Sequence, residues 1–171
     1  MRTLKEQMVA WIKDYFAKNG DENTKALIGI SGGKDSTVVA AACVAALGKD
    51  RVVGVMMPNG VQTDINDSKR VCEFLGIKNY EVNIKGAYDA LTQEITAKTA
   101  GEATPQFKTN TPSRLRMATL YGVAAIIGNC RISNNGNKSE RLMGYFTIWG
   151  DGAGDFAPLA NLYVSDVVRL G

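Results

Sequence analysis

The chain has 171 residues, 45% of them hydrophobic and 22% charged, and a formal net charge of +3. This composition is ordinary for one globular domain with a core of its own. The basic residues are scattered rather than clustered, which argues against a nucleic-acid-binding protein. No apolar run is long enough to span a bilayer, and the polar first residues argue against a secretory signal peptide.

Apolar periodicity and breaking residues predict the elements of the first hundred residues. Gly20, Gly48 and Gly76 each follow a helical pattern and are typical helix stops. Thr63 is a candidate N-cap for the third helix. The predicted elements are helices over 3–19, 35–47 (buried on most of its surface), 63–75 and 86–100, and strands over 25–30, 51–57 and 79–84.

Residues after 102 contain a further set of predicted elements. Residues 103–111 read as a polar loop, and Pro112 suits the first position of a helix over 112–127. The predicted core face of that helix is made of small residues, Ala118, Gly122 and Ala125, which favours close packing on a neighbour. Further predictions are a strand over 130–133, a helical turn over 140–145, a glycine-rich loop over 150–158 and a helix over 162–170.

Strands and helices alternate, and the strands are apolar on both faces. This pattern indicates a parallel sheet covered by helices, the doubly wound α/β class. We expect residues 1–171 to form a single domain. Because the last helix begins just before Gly171, we also expect a longer protein that continues past this residue.

The chain contains no histidine and three widely spaced cysteines, Cys43, Cys72 and Cys130. Without histidine, neither a Ser-His-Asp triad nor a Cys-His pair is possible, and most catalytic zinc sites are excluded. Since no CxxC pair exists, we expect the cysteines to be reduced and buried in a cytoplasmic protein. The chemistry then depends on carboxylates, Lys, Arg, hydroxyls, backbone amides or a hard metal ion.

The sharpest motif lies between the first strand and the second helix. Its sequence is Gly29-Ile30-Ser31-Gly32-Gly33-Lys34-Asp35-Ser36-Thr37. Glycines let the backbone approach an anion, and the amides at a helix N-terminus attract phosphate. It is not a Walker A motif, because Asp35 separates the lysine from Ser36. An acidic residue in a phosphate loop suggests an intervening Mg²⁺ ion. The alternative is a tight turn without a ligand, in which Asp35 caps the helix.

The SGGKDS string resembles the SGGxDS loop of the N-type ATP pyrophosphatases. That family includes NAD, GMP, asparagine and argininosuccinate synthetases. Three later segments are similar to those of ammonia-dependent NAD synthetases. They are NTPSRLRM from Asn110, GNKSE from Gly136 and GYFTIWGDGAGDFAP from Gly144.

This resemblance implies an adenine nucleotide alpha hydrolase-like, Rossmann-like fold and a ligase. The enzyme adenylates the nicotinate carboxylate of deamido-NAD with ATP, and ammonia then gives NAD, AMP and pyrophosphate. The partners implied are these small molecules and a second copy of the chain in a homodimer; the cofactor is Mg²⁺. The helix over 112–127 is a candidate for the dimer contact or, equally, for a core role.

The resemblance also implies roles for individual residues. ATP is bound by Gly29, Ile30, Ser31, Gly32, Gly33, Lys34, Asp35, Ser36 and Asn135, the last standing where many members have threonine. Mg²⁺ is bound by Asp35 and Glu140. Deamido-NAD is bound by Arg114 and Asp155. Asp35 and Asp155 are the catalytic candidates, and Asp155 or Asp151 orients ammonia or accepts its proton.

Simpler interpretations of these residues stay open. Arg114 and Arg116 can be solvated charges, and Glu140 can be a capping-box partner of Asn137. Asp151 and Asp155 can stabilise a glycine-rich turn.

The sequence also departs from the family pattern and leaves other functions open. Some members have lysine at the positions of Ile148 and Val164. No amidase domain fits before residue 25, so free ammonia is the expected nitrogen source unless a partner subunit delivers it. The alternative functions are another N-type ATP pyrophosphatase and a nucleotide-binding fragment without full activity.

Overall fold

The computed structural model describes residues 3–171, which fold around one parallel four-stranded sheet. The strands are β1 (Lys25–Gly29), β2 (Val52–Met56), β3 (Lys78–Glu81) and β4 (Cys130–Ile132), in the order β3-β2-β1-β4. The helices are α1 (Leu4–Asn19), α2 (Lys34–Leu47), α3 (Ile65–Leu75), α4 (Lys85–Thr99), α5 (Pro105–Ile127), α6 (Lys138–Met143) and α7 (Val164–Leu170). Among the described residues, no helix is long and apolar enough to cross a membrane.

Apolar side chains cover both faces of the sheet, which confirms the predicted doubly wound fold. Along β1, Ala26 and Ile28 enter one buried cluster while Leu27 enters the other. The first cluster includes Ile12 of α1 and Val39 of α2, and the second includes Leu120 of α5. Successive strand residues thus point to opposite faces, and helices cover each face.

The strand order creates a crevice at one edge of the sheet. The chain runs from β1 through β2 to β3 and then returns to place β4 on the other side of β1. In open parallel sheets, ligands bind outside the carboxyl ends of the strands at such a reversal. The segments that follow β1 and β4 therefore meet where a ligand is expected.

The predicted loop over 103–111 is wrong, because α5 already begins at Pro105. The Thr104 hydroxyl accepts a hydrogen bond from the Phe107 amide at 3.1 Å, and Pro105 occupies the first turn. This is a complete helix start. Pro112 lies inside the helix rather than at its first position, where its nitrogen cannot donate to the carbonyl of Lys108.

Smaller boundary errors have local causes. The N-cap of α3 is Asp64, without a side-chain capping bond, and not Thr63. The predicted strand over 51–57 loses its first residue to a 3-10 turn, Lys49–Arg51. The strand over 79–84 is assigned as β3 only to Glu81, although the Val82 amide still donates to the Met56 carbonyl. The helical turn over 140–145 is α6, which starts earlier, and the helix over 162–170 starts at Val164.

The small-residue face of α5 does not belong to the core. Ala118, Gly122 and Ala125 are all exposed, as are Tyr121 and Ile126 beside them. The prediction that this face packs inside the monomer is therefore wrong for residues 3–171, and the dimer contact stays a prediction.

Two other burial predictions need correction. Helix α2 is less covered than its apolar sequence suggests, since Ala41 and Ala45 line an open groove of about 830 Å³ between α1, α3 and α7. All three cysteines are free thiols, but Cys130 is only half-buried. Burial raises the pKa of the Cys43 thiol to about 12 and so keeps it protonated.

Close packing between β2 and α3 gives a first test of the fold. A β-carbon at Gly54 would lie 3.1 Å from Cys72 Sγ and 3.1 Å from Ile30 Cγ1. We expect Gly54→Ala to lower the free energy of unfolding by about 1–3 kcal/mol through overpacking. Adding Cys72→Ala removes one contact, so the double variant should be more stable than the sum of the single effects predicts. Denaturant unfolding measures this coupling, and strictly additive effects would contradict the packing described.

Candidate active site

A cavity of about 500 Å³ opens at the carboxyl ends of β1, β2 and β4. It is lined by residues from the segments after these strands and by one face of α5. The lining residues are Gly29, Ile30, Ser31, Asp35, Ser36, Met57, Gln62, Asp64, Ile65, Ser113, Arg116, Met117, Leu120, Ser133, Asn135, Gly136, Glu140 and Asp151. Apolar side chains and polar groups of both charges therefore share one crevice, as in many ligand sites.

The glycine loop after β1 is held by its own hydroxyl groups. The Ser36 hydroxyl donates to the Gly33 carbonyl at 3.2 Å and lies 3.2 Å from the Ser31 hydroxyl. The Gly33 amide donates to Ser31 Oγ at 3.3 Å, and the Thr37 hydroxyl donates to the Gly33 carbonyl at 2.8 Å. These bonds curl the loop over the N-terminus of α2.

The N-terminus of α2 has no side-chain cap. Its N-cap residue is Gly33, which carries no side chain to accept from the first-turn amides. Uncapped amides at a helix start carry partial positive charge and bind anions. Here they lie beside Ser31 and Ser36, whose hydroxyls can also donate, so the arrangement suits a phosphate group.

Gly32 is required by its conformation and by its neighbour α3. Its φ is +77°, a region that side chains rarely adopt. A β-carbon there would also lie 3.0 Å from Cβ of Asp67 and 3.1 Å from the amide nitrogen of Ser68. The loop thus rests on the first turns of α3, and any side chain at this position would push the two apart.

Asp35 and Glu140 both line the cavity, on the first turns of α2 and α6. Asp35 Oδ2 accepts from Lys34 Nζ at 2.7 Å, and Oδ1 accepts from Asn137 Nδ2 at 3.3 Å. Glu140 Oε2 accepts from the Asn137 amide at 3.0 Å, completing the capping box that the sequence left open. Glu140 Oε1 has no hydrogen-bond partner within residues 3–171.

Asn135 connects the end of β4 to the glycine loop. Its Nδ2 donates to the Gly29 carbonyl at 3.0 Å, and its Oδ1 accepts from the Ser133 hydroxyl at 2.8 Å. Both polar ends of the side chain are therefore engaged with protein groups. Asn135 lines the cavity, but it also fixes the backbone from which the loop departs.

Of the two arginines in the RxR pair, Arg116 faces the cavity. Its Nε donates to the Met57 carbonyl at 2.9 Å, and burial lowers the pKa of the guanidinium from its ordinary value. Arg114 is exposed, and its Nε donates to the Ile148 carbonyl at 3.1 Å. The helical phase explains the difference, since Ser113, Arg116, Met117 and Leu120 follow i, i+3, i+4, i+7 spacing on one face.

Asp151 and Asp155 occupy different places. Asp151 lines the cavity, and its Oδ1 accepts from the Ser113 hydroxyl at 2.7 Å and from the Thr147 amide at 2.9 Å. Asp155 lies outside the cavity beside β4. Its Oδ2 accepts from the Ile132 amide at 2.7 Å, and its own amide donates to the Ile132 carbonyl at 2.8 Å. It therefore closes the free edge of β4.

Two tyrosine hydroxyls surround Asp155. Tyr121 of α5 donates to its Oδ1 at 3.4 Å, and Tyr15 of α1 donates to its backbone carbonyl at 2.9 Å. Burial, and then the charge of Asp155, raise the pKa of both tyrosines. Both hydroxyls thus remain donors. Asp155, Tyr15 and Arg131 also border a small open pocket on this surface.

The structure gathers six of the nine predicted ATP residues around the cavity: Gly29, Ile30, Ser31, Asp35, Ser36 and Asn135. Gly32 and Lys34 face the groove beside α3 instead, and Gly33 is the N-cap of α2. Arg114 and Asp155 lie outside the cavity lining. Sequence reasoning missed Gln62, Asp64 and Ile65, which follow β2 without a recognisable motif.

Comparison with known proteins identifies a matching family and a relative in it. The NAD synthase family model matches residues 4–171. An NH(3)-dependent NAD(+) synthetase of Pyrococcus furiosus is 38% identical over 98% of this chain, which spans 63% of that relative's length.

Two solved structures of enzymes that form NAD or NMN share the fold of this chain. An NH3-dependent NAD synthetase of Campylobacter jejuni has a TM-score of 0.86 at 31% identity, over 98% of this chain and 70% of the other. The NMN synthetase of Francisella tularensis has a TM-score of 0.85 at 35% identity, over 98% and 68%.

Substitutions at two glycines with positive φ distinguish the effect of backbone strain from the effect of contact with α3. Gly32→Ala and Gly48→Ala both force alanine into this region, at φ +77° and +83°. Nothing lies within 4 Å of a β-carbon at Gly48, whereas one at Gly32 meets Asp67 and Ser68. We expect Gly48→Ala to cost about 1 kcal/mol of unfolding free energy and Gly32→Ala at least twice that. Only Gly32→Ala should weaken ATP binding by calorimetry; equal effects of the two variants would contradict the contact.

Proposed function

The chain belongs to the NAD synthase family, and on that premise we propose that it carries the ATP-binding part of an ammonia-dependent NAD synthetase. Because the chain spans less than two thirds of the Pyrococcus furiosus relative, the activity is proposed for the whole protein. The match over residues 4–171 favours this function over other N-type ATP pyrophosphatases.

The proposed reaction has two steps and needs no covalent enzyme intermediate. A nicotinate carboxylate oxygen of deamido-NAD attacks the α-phosphorus of ATP, the bond to the bridging oxygen breaks, and pyrophosphate leaves. Ammonia then attacks the acyl carbon and loses a proton, and AMP leaves with the carboxylate oxygen. The absence of histidine from the sequence is compatible with this chemistry.

The observation that carries the proposal is the uncapped N-terminus of α2 beside two serine hydroxyls in the cavity. Donors held in place before the reaction stabilise charge as it develops on the leaving group. Gly29, Ser31 and Ser36 would hold the pyrophosphate portion of ATP, with Gly32 and Gly33 shaping the loop. The cationic Arg116 would add to the positive potential from the opposite wall.

The residues present fit a magnesium ion. Asp35 and Glu140 line one cavity, and Glu140 Oε1 is unengaged by any group of residues 3–171. The described residues contain no cluster of three His, Cys, Asp or Glu that would hold a metal by themselves. Mg²⁺ commonly binds one or two carboxylates and completes its shell with phosphate oxygens and water. When bound, it would neutralise negative charge on the polyphosphate.

Arg114 and Asp155 are proposed to contact deamido-NAD from outside the ATP cavity. Both are exposed, and Asp155 lies beside Tyr121 on the open face of α5. The exposed small-residue face of α5 beside them supports a homodimer with substrate near its interface, in which a second copy would enclose both residues. Asp151, which lies in the cavity, is the better placed of the two aspartates to orient ammonia next to the activated carbonyl.

Ammonia is the proposed nitrogen source and the cytoplasm the proposed compartment. The Pyrococcus furiosus and Campylobacter jejuni relatives are both NH3-dependent. The three cysteines are free thiols, which supports a reducing compartment.

The central test is pyrophosphate release from ATP and Mg²⁺ with ammonium, in the presence and absence of deamido-NAD. We expect release that depends on deamido-NAD, with NAD as the co-product. Nicotinate mononucleotide forms a second arm, because the Francisella tularensis relative is an NMN synthetase. Faster turnover of the mononucleotide, or release that is independent of both compounds, would contradict the proposed substrate.

Asp35→Asn tests the role of the loop carboxylate. The change removes one negative charge from the cavity, so Mg²⁺-dependent ATP binding and pyrophosphate release should fall by more than the roughly 10- to 100-fold that is typical when only an outer-layer partner of a metal ligand is lost. Asp14→Asn is the matched control, since Asp14 is exposed on α1 and pairs with Lys18. Wild-type Mg²⁺ dependence in Asp35→Asn would exclude the metal role.

Gly122→Arg tests the proposed dimer face. Nothing lies within 4 Å of a β-carbon at Gly122 or at Gly86, so both helical glycines can accept a side chain in the monomer. We expect Gly122→Arg to be monomeric in sedimentation velocity and Gly86→Arg, on α4, to dimerise like the wild type. A dimeric Gly122→Arg, or a wild type that sediments as a monomer at high concentration, would contradict the assignment of this face.

A further inference from the structure

The side chain of Asn137 lies directly behind the two cavity carboxylates. It is only 1% exposed and is not part of the cavity wall. Its Nδ2 donates to Asp35 Oδ1 at 3.3 Å, and its Oδ1 accepts from the Glu140 amide at 3.1 Å. The backbone N–H of Asn137 donates to Glu140 Oε2 at 3.0 Å. One buried residue thus contacts both carboxylate-bearing residues, which are 105 positions apart in sequence.

The two hydrogen-bond partners determine the orientation of the Asn137 side-chain amide. The backbone N–H of Glu140 requires an acceptor, and the ionised carboxylate of Asp35 requires a donor. Only the arrangement with Oδ1 toward Glu140 and Nδ2 toward Asp35 satisfies both. The reversed amide would bring two donors together on one side and two acceptors on the other.

Capping of α6 alone does not explain an asparagine here. Serine, threonine and aspartate cap helices about as well, because an N-cap needs only an acceptor. Aspartate has no donor, and the hydroxyls of serine and threonine end one bond short of Nδ2, so none of them can take its place as the donor to Asp35. The donor arm is therefore the part of Asn137 that helix capping leaves unexplained, and it points to the segment after β1 rather than to α6.

We propose that Asn137 is a positioning residue, which fixes the Asp35 carboxylate relative to Glu140 so that both can bind one divalent cation. The inference rests on the proposed function, because the cation belongs to the ATP site. Hydrogen bonds from a second layer of residues orient metal-binding carboxylates, and losing such a bond typically lowers metal affinity about 10- to 100-fold. Asn137 acts through Asp35 and Glu140 and does not touch the nucleotide.

The test compares two substitutions at this position. Asn137→Ser keeps an acceptor for the α6 cap, but its hydroxyl ends one bond short of Nδ2 and so cannot replace it as the donor to Asp35, whereas Asn137→Ala loses both groups. Mn²⁺ serves as the probe, and its binding to the full chain with ATP present is followed by electron paramagnetic resonance. We expect both variants to bind Mn²⁺ about 10- to 100-fold more weakly than wild type, although only Asn137→Ala loses the cap.

Thr3→Ala is the control for simple destabilisation. Thr3 and Glu6 form the same kind of capping box on α1, which contributes no residue to the cavity. The melting temperature of the Thr3→Ala variant should fall by about 2–4 °C, while its Mn²⁺ affinity stays unchanged.

Mn²⁺ affinity that follows the cap, lost in Asn137→Ala but retained in Asn137→Ser, would overturn the inference and leave Asn137 as a cap. An equal loss in Thr3→Ala would also overturn it, since the effect would then come from stability. A wild type without Mn²⁺ binding in the presence of ATP would refute the proposed metal site and the inference together.

Discussion

Hydrogen bonds from the asparagines after β4 to the last residue of β1 and the first turn of α2 set the geometry of the cavity. Asn135 holds the Gly29 carbonyl, and Asn137 holds the Asp35 carboxylate. Because β4 is the neighbour of β1 across the reversal in strand order, these contacts join segments more than 100 residues apart. The glycine loop on one side and α6 on the other then present donors and carboxylates to the same space.

The two kinds of charge in the cavity are complementary. The uncapped N-terminus of α2 and Arg116 attract an anion, while Asp35 and Glu140 attract a cation. A polyphosphate alone would be repelled by the carboxylates, and a metal alone would find too few ligands. Together, a nucleotide and its metal ion would satisfy both sets, and this complementarity is the reason for proposing metal-bound ATP rather than either component alone as the ligand.

The fold and the glycine loop were predictable because their signals are local. A buried strand, two glycines and an apolar helix follow each other without a gap over 25–47, and the spacing of GNKSE already indicated the capping box at Glu140. The choice between Arg114 and Arg116 was not predictable, because both lie inside the predicted helix over 112–127 and the packing of α5 on the sheet decides which face of that helix lines the cavity. Asp151 and Asp155 lie in a glycine-rich loop without periodicity, so only the folded chain distinguishes the cavity residue from the one that closes β4.

The most direct test of the account follows one oxygen atom. Deamido-NAD labelled with ¹⁸O at both oxygens of the nicotinate carboxylate is incubated with the protein, ATP, Mg²⁺ and ammonium, and the products are analysed by mass spectrometry. Attack of the carboxylate on the α-phosphorus predicts one ¹⁸O atom in each AMP formed and none in pyrophosphate. Unlabelled AMP, or label in inorganic phosphate released with ADP, would contradict adenylation of the carboxylate.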